Sequence, residues 1–184
     1  MLIYQQGEIM KVLRKQKSSK ECIVCGRDSL SSVRADFYDV EGEMVACIFT
    51  PKDHHQSYRN RMHGGMITAI LDETLGRAIQ WGDKDVWGVT MEITVKFRKP
   101  VPLNTELIAV GKIIKETGLA FVGASFIEDS LGNVLATATG KFMKLPPEKI
   151  TEGGLTDEEW FYDQENPKTD IDIKNANYFD NIKI

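Results

Sequence analysis

The chain has 184 residues, 42% of them hydrophobic and 27% charged, with a formal net charge of −4. That length suits one globular domain with about forty residues to spare for arms or tails, and the composition excludes a disordered, fibrous or collagen-like chain. No apolar run reaches the roughly 18 residues that a membrane-spanning helix needs, and the first twenty residues interrupt their apolar positions with Gln, Gly and Glu instead of supplying a signal-peptide core. A cytoplasmic protein with no membrane partner is expected. The charge is uneven: ten acidic and four basic residues lie from Leu145 onward, leaving 19 basic and 17 acidic on the body. That balance argues against nucleic acid as a partner and would still suit a small anionic handle such as a nucleotide phosphate.

In chain order, Ile3, Ile9, Met10 and Leu13 recur near helical spacing among Lys and Arg, which predicts an amphipathic helix or arm over residues 1–20. Cys22 and Cys25 follow in "CIVCG", with Cys47 apart. With three cysteines and no second Cys-x-x-Cys, a structural role is expected and no metal. The runs "VRADFYDV" and "MVACIFT" bracket "EGE" and predict a hairpin through Gly42, closed by Pro51. His54 and His55 beside Asp53 read as a polar surface loop. Gly65 to Gln80 is the strongest helix candidate, because two glycines open it, no proline interrupts it, and apolar residues cover most of its circumference. Four strand-like runs follow, beginning at Trp87, Thr105, Leu119 and Val134, with turn signals at Thr117-Gly118 and Gly132-Asn133. Two strands, one buried helix and four more strands describe an α+β architecture, an antiparallel sheet wrapped around one long helix. The expected division is a helical arm with the cysteine pair over 1–30, the domain over 31–146 and an acidic tail over 147–184. Within the tail, "LTDEEW" can start a short helix capped by Thr156, and the remainder is expected to be disordered or borrowed by a neighbouring subunit.

Asp72 and Glu73 stand in the middle of this apolar helix, and a buried carboxylate without partners costs several kcal/mol. Glu73 has an ion-pair partner four residues on, Arg77. Asp72 lies about two turns beyond Gly65 on the same helix face, with Thr68 between. The first amides of a helix have no intrahelical acceptor and suit a developing negative charge. A carboxylate together with such amide donors is what hydrolysis of an ester or thioester requires, although Gly-Gly in a tight loop and an Asp in a buried hydrogen bond would give the same spacing.

The segment "HQSYRNRMHGGMITAILDETLG", with "VTMEITVKFRKPVPLN" downstream, resembles the hotdog-fold acyl-CoA thioesterases, specifically the phenylacetate-degradation-thioesterase-like branch, over roughly Val33 to Leu145. The resemblance implies that Asp72 is the catalytic carboxylate, as nucleophile or general base. It implies that the Gly64 amide polarises the thioester carbonyl, that His63 shapes the loop, and that Thr90 places a hydroxyl near the attacking water. Six residues before the motif's histidine the family has Asn, whereas this chain has Ser57, with Gln56 beside it and Asn60 closer in; Gln56 is the residue expected to replace it. Gly65 completes the expected substrate-binding set. The resemblance further implies an acyl-CoA substrate, no cofactor, and a homodimer or dimer of dimers with each site built across a subunit interface. A non-catalytic acyl-CoA-binding protein and a hotdog hydratase or dehydratase are the alternatives, the latter needing a His near the helix to move protons at adjacent carbons.

Overall fold

The computed structural model describes residues 7–182. Strands β1 (Glu8–Lys15), β2 (Ser18–Ser19), β3 (Asp36–Val40) and β4 (Met44–Phe49) precede helix α1 (Gly64–Arg77). After it come β5 (Trp87–Phe97), β6 (Leu107–Glu116), β7 (Ala120–Glu128), β8 (Val134–Leu145), β9 (Trp160–Phe161) and β10 (Asp170–Ile173). Eight strands form one sheet in the order β10-β1-β3-β4-β6-β7-β8-β5, while β2 and β9 form a separate pair. Every pairing is antiparallel. Among the described residues no helix is long and apolar enough to cross a membrane.

The predicted β3–β4 hairpin forms, with Val40 opposite Met44 and Gly42 at φ +77°. A positive φ is open to Gly at little cost. The helix begins one residue earlier than expected and gives way to a 3-10 turn over Ala78–Gln80. Ile67, Ile70, Leu71, Thr74 and Leu75 face the sheet. The sheet can come this close because of its glycines: a Cβ on Gly111 would lie 2.9 Å from the Thr74 carbonyl oxygen, and one on Gly123 2.9 Å from Leu75 Cδ2. The helix is not covered all round, however. Gly65 is exposed, and Met66, Ala69, Asp72 and Glu73 are only half-buried, so one face is left uncovered by this chain.

Three expectations are corrected. Residues 8–15 form a strand and not a helix, because Met10 and Val12 two apart pack on the cluster around Tyr38 and Phe126, while Ile9 and Leu13 remain 65% and 50% exposed. Ile3 lies outside the described residues. The expected tail instead folds back on its own chain. In β10 the alternation Asp-Ile-Asp-Ile turns Ile171 and Ile173 inward and both aspartates outward, and the strand pairs with β1. The stretch "TDEEW" forms a turn, with the Thr156 hydroxyl and N–H both donating to Glu159 Oε2, and not a helix.

A carboxylate cluster fastens this C-terminal segment. Asp163 accepts from Lys15, Ser18 and Arg27, and Asp36 accepts from the same Lys15 and Arg27. Despite its burial, these donors hold the Asp163 carboxyl down to about 2. A depressed carboxyl contributes stability that is fully present above its unfolded value and lost as pH falls through the folded one. Asp163→Asn should therefore cost about 2–3 kcal/mol in urea unfolding at neutral pH. The difference from wild type should shrink between about pH 4 and about pH 2.

Candidate active site

Asp72 sits in the third turn of α1, and the Thr90 hydroxyl donates to its Oδ1 over 2.8 Å. A bulge in β5 makes this contact possible. Thr90 pairs with Phe142 and Glu92 with Lys141, so Met91 is an extra residue. One inserted residue reverses the alternation, which puts Thr90 on the same helix-facing side as Ile93, Val95 and Phe97. Burial pushes the Asp72 carboxyl above its ordinary range; the Thr90 hydrogen bond opposes this and the charge of Glu73 adds to it. Asp72 and Thr90 line one cavity of about 300 Å³.

The loop ahead of the helix is built from its own polar groups. His63 caps α1, with Nδ1 accepting from the Gly65 N–H at 2.9 Å. The Gln56 side chain accepts from the Asn60 N–H at 2.9 Å, Asn60 takes φ +58°, and the Ser57 N–H donates to the Arg61 carbonyl. Gln56, Ser57 and Asn60 thus close a tight exposed turn, and Gln56 already uses its carbonyl there. His55, expected in a polar surface loop, is instead buried and engaged at both ring nitrogens, by the Lys52 N–H and the Ser31 carbonyl, while His54 is exposed. The Gly64 N–H, first in the helix, has no intrahelical acceptor. Eight residues at 1.5 Å each place it about 12 Å along the axis from Asp72, and neither Gly64 nor His63 lines the Asp72 cavity. Within one chain the expected site residues fall into two groups, Asp72 with Thr90 and the loop with the helix start.

The far wall of the cavity is one that sequence reasoning did not assemble. The expected Glu73–Arg77 ion pair forms, with Arg77 Nη2 2.8 Å from Glu73 Oε1. Arg77 also donates to the Lys17 carbonyl at 2.9 Å and to Cys25 Sγ at 3.1 Å, and its guanidinium lies over the rings of Phe37 and Trp160. Cys22 Sγ is 3.2 Å from Glu73 Oε2. Leu155 and Trp160 from the C-terminal segment and Trp87 from β5 complete the lining. The "CIVCG" pattern was visible in the sequence, but no local signal tied it to Glu73 or brought Trp160 across. A wider cleft of about 580 Å³ adjoins this cavity through Gln80, Trp87, Leu155 and Trp160; its basic Arg14, Lys17 and Lys84 face the acidic Asp83, Asp85, Glu148 and Asp157.

An antiparallel sheet curled around one long helix, with a carboxylate on the helix face that the sheet does not cover, is the hotdog fold, α+β as expected. Residues 60–123 match the family model of the thioesterase superfamily, a stretch that contains His63, Gly64, Gly65, Asp72 and Thr90. The expected resemblance to hotdog acyl-CoA thioesterases is therefore borne out. "Acyl-coenzyme A thioesterase THEM4" from Rattus norvegicus is 28% identical over 116 residues, 62% of this chain and 49% of the relative. The chain thus spans about half the length of the curated relatives it first matches. Among solved structures, a thioesterase superfamily protein is 25% identical with a TM-score of 0.61, covering 66% of this chain and 59% of its own. The E. coli PaaI protein from the phenylacetic acid degradation operon shares the fold at 16% identity and a TM-score of 0.56, over 61% of this chain and 80% of its own.

The wall around Arg77 carries a prediction. A lysine cannot reproduce a fork that serves a carboxylate, a carbonyl and a sulfur while stacked between two rings. Arg77→Lys keeps the charge beside Glu73 but leaves the Lys17 carbonyl and Cys25 Sγ without their donor, and should lower unfolding free energy by about 2 kcal/mol, measured by chemical denaturation.

Proposed function

We propose that this chain hydrolyses a thioester of the acyl-CoA class to a free acid and a thiol. The observation that carries the reading is the Thr90–Asp72 pair, a half-buried carboxylate held by a hydroxyl at 2.8 Å on the cavity wall. Thr90 fixes Oδ1 and leaves Oδ2 to take a proton from water. The hydroxide adds to the carbonyl carbon, the oxygen gathers charge, and collapse breaks the C–S bond while Asp72 returns its proton to the thiolate. Direct attack by Asp72 would run through an acyl anhydride that water then opens. The name of the rat relative supports acyl-CoA as the substrate class.

The oxyanion donor comes from a second copy in this reading. Strand β5 is an eleven-residue sheet edge carrying exposed Met91 and Phe97, a surface that invites pairing. Thr90 stands beside Asp72, and Phe97 stands beside Gly64, where a Cβ would lie 3.5 Å from the Phe97 ring. Antiparallel pairing of two β5 edges about a twofold at Thr94 sets Ile93 opposite Val95 and, because Met91 is an extra residue, Thr90 of one copy opposite Phe97 of the other. It carries the Gly64 amide of one copy toward Asp72 of the other. Asp72 and Gly64 then meet without either having to cross the 12 Å or so that separates them in one helix.

With a panel of short, medium, long and aromatic acyl-CoAs, thiol release should appear and fall at least about a hundredfold in Asp72→Asn, about 2.7 kcal/mol of transition-state stabilisation. Thr90→Ala should lose about tenfold. Acyl-CoA that binds and survives intact would replace hydrolysis with a binding function. Light scattering should find a dimer or a dimer of dimers, and a fully active monomer would sink the shared site.

A further inference from the structure

We propose that Cys22, Cys25 and Glu73 form a binding site for a divalent ion of the zinc class, with its fourth position open to the cavity that Asp72 lines. Among the described residues this is the one group of three such side chains whose ligand atoms all lie within 4.8 Å of one another. Tetrahedral zinc with bonds of about 2.3 Å to sulfur and about 2.0–2.2 Å to oxygen sets its ligand atoms roughly 3.5–3.8 Å apart. Cys22 Sγ and Glu73 Oε2 are already at 3.2 Å. Two thiolates and one carboxylate form a donor set that favours zinc over magnesium or calcium.

The surroundings are those of a prepared ligand set. The Val24 N–H points at Cys22 Sγ over 3.3 Å, and the Gly26 N–H closes the turn on the Cys22 carbonyl at 2.8 Å. A Cβ on Gly26 would lie 2.3 Å from that carbonyl oxygen, so a glycine is required for the two sulfurs to converge. On the other side Arg77 donates to Cys25 Sγ and to Glu73 Oε1, leaving Oε2 turned toward Cys22. Each ligand thus has an outer hydrogen bond orienting it, as metal ligands usually do.

The buried guanidinium is compatible with a cation beside it because the charges balance. With both thiols protonated, Arg77 and Glu73 neutralise each other. Binding exchanges two thiol protons for one divalent ion and leaves the charge of the cluster unchanged. Three protein ligands leave one position for water, and the cavity lies on that side, since Cys22, Cys25 and Glu73 share its lining with Asp72 and Thr90. This site does not depend on the proposed hydrolysis, and its test reads the metal directly.

The full chain, reduced with a phosphine and freed of metal by chelator, is titrated with Co2+. The expected result is one equivalent per chain, a thiolate-to-cobalt absorption in the near-ultraviolet, visible bands of tetrahedral intensity, and displacement of all of these by Zn2+. Cys22→Ser and Cys25→Ser should each cut the near-ultraviolet absorption and weaken binding at least about tenfold. Glu73→Gln should keep that absorption with weaker affinity, and Cys47→Ala should leave it unchanged. Folded wild-type protein that shows no thiolate-to-cobalt absorption overturns the site whatever the variants do. Cobalt bound equally well by the Cys22→Ser/Cys25→Ser double variant overturns it too, as does a pair that dissolved oxygen closes to a disulfide, once the phosphine is removed, as readily with zinc present as without it.

Discussion

A guanidinium buried near the end of the central helix must have its charge matched and its donors satisfied, because an unpaired one would cost several kcal/mol. Arg77 meets this demand with five residues: Glu73 one turn back, the Lys17 carbonyl, Cys25 of the N-terminal loop, and the faces of Phe37 and Trp160. The segments before β3 and after β8 are therefore drawn to the same place. They wall a cavity that the sheet and helix alone would leave open, and that cavity holds Asp72. The surroundings of the candidate carboxylate follow from the solvation of an arginine one turn away.

The central elements were legible because their signals are local. Alternating strands with short turn sequences, and a long apolar run without proline, fix the three hairpins and the helix almost residue for residue. What was misread depends on partners far away in the chain. Ile9, Met10 and Leu13 satisfy a helical spacing, yet Met10 and Val12 find their cover on β3 and β10, and the strand is decided by that cover. By composition alone the acidic tail reads as unstructured. The same residues are the outward half of an alternating strand, or, as with Asp163, the counter-charges for Lys15 and Arg27.

The candidate site divides in the same way. Asp72, Gly64 and Thr90 were marked by motif and by resemblance, but the side of the sheet on which Thr90 stands is set by the extra residue at Met91, which no periodicity announces. Gln56 was expected to orient the substrate and is occupied in closing its own turn with Asn60. The meeting of Cys22 with Glu73 joins residues 51 positions apart. Spacing along the helix sets Gly65 and Asp72 on one face, and the rise per residue leaves the Gly64 amide about 12 Å from Asp72, too far for the two to serve one carbonyl within a single chain.

The shared site of the proposed function rests on pairing across copies, and complementation tests it most directly. Gly64→Pro removes the amide donor at the first helical position, where proline is well tolerated, and the preceding His63 already has the extended backbone, φ −65° and ψ 136°, that a following proline requires. Asp72→Asn and Gly64→Pro chains, each inactive alone, are mixed under conditions that exchange subunits. If Asp72 of one copy works with Gly64 of the other, each mixed dimer contains one intact site, and a statistical mixture recovers about a quarter of wild-type thiol release. If both groups act within one chain, every site carries one defect, and a mixture no more active than its components contradicts the account.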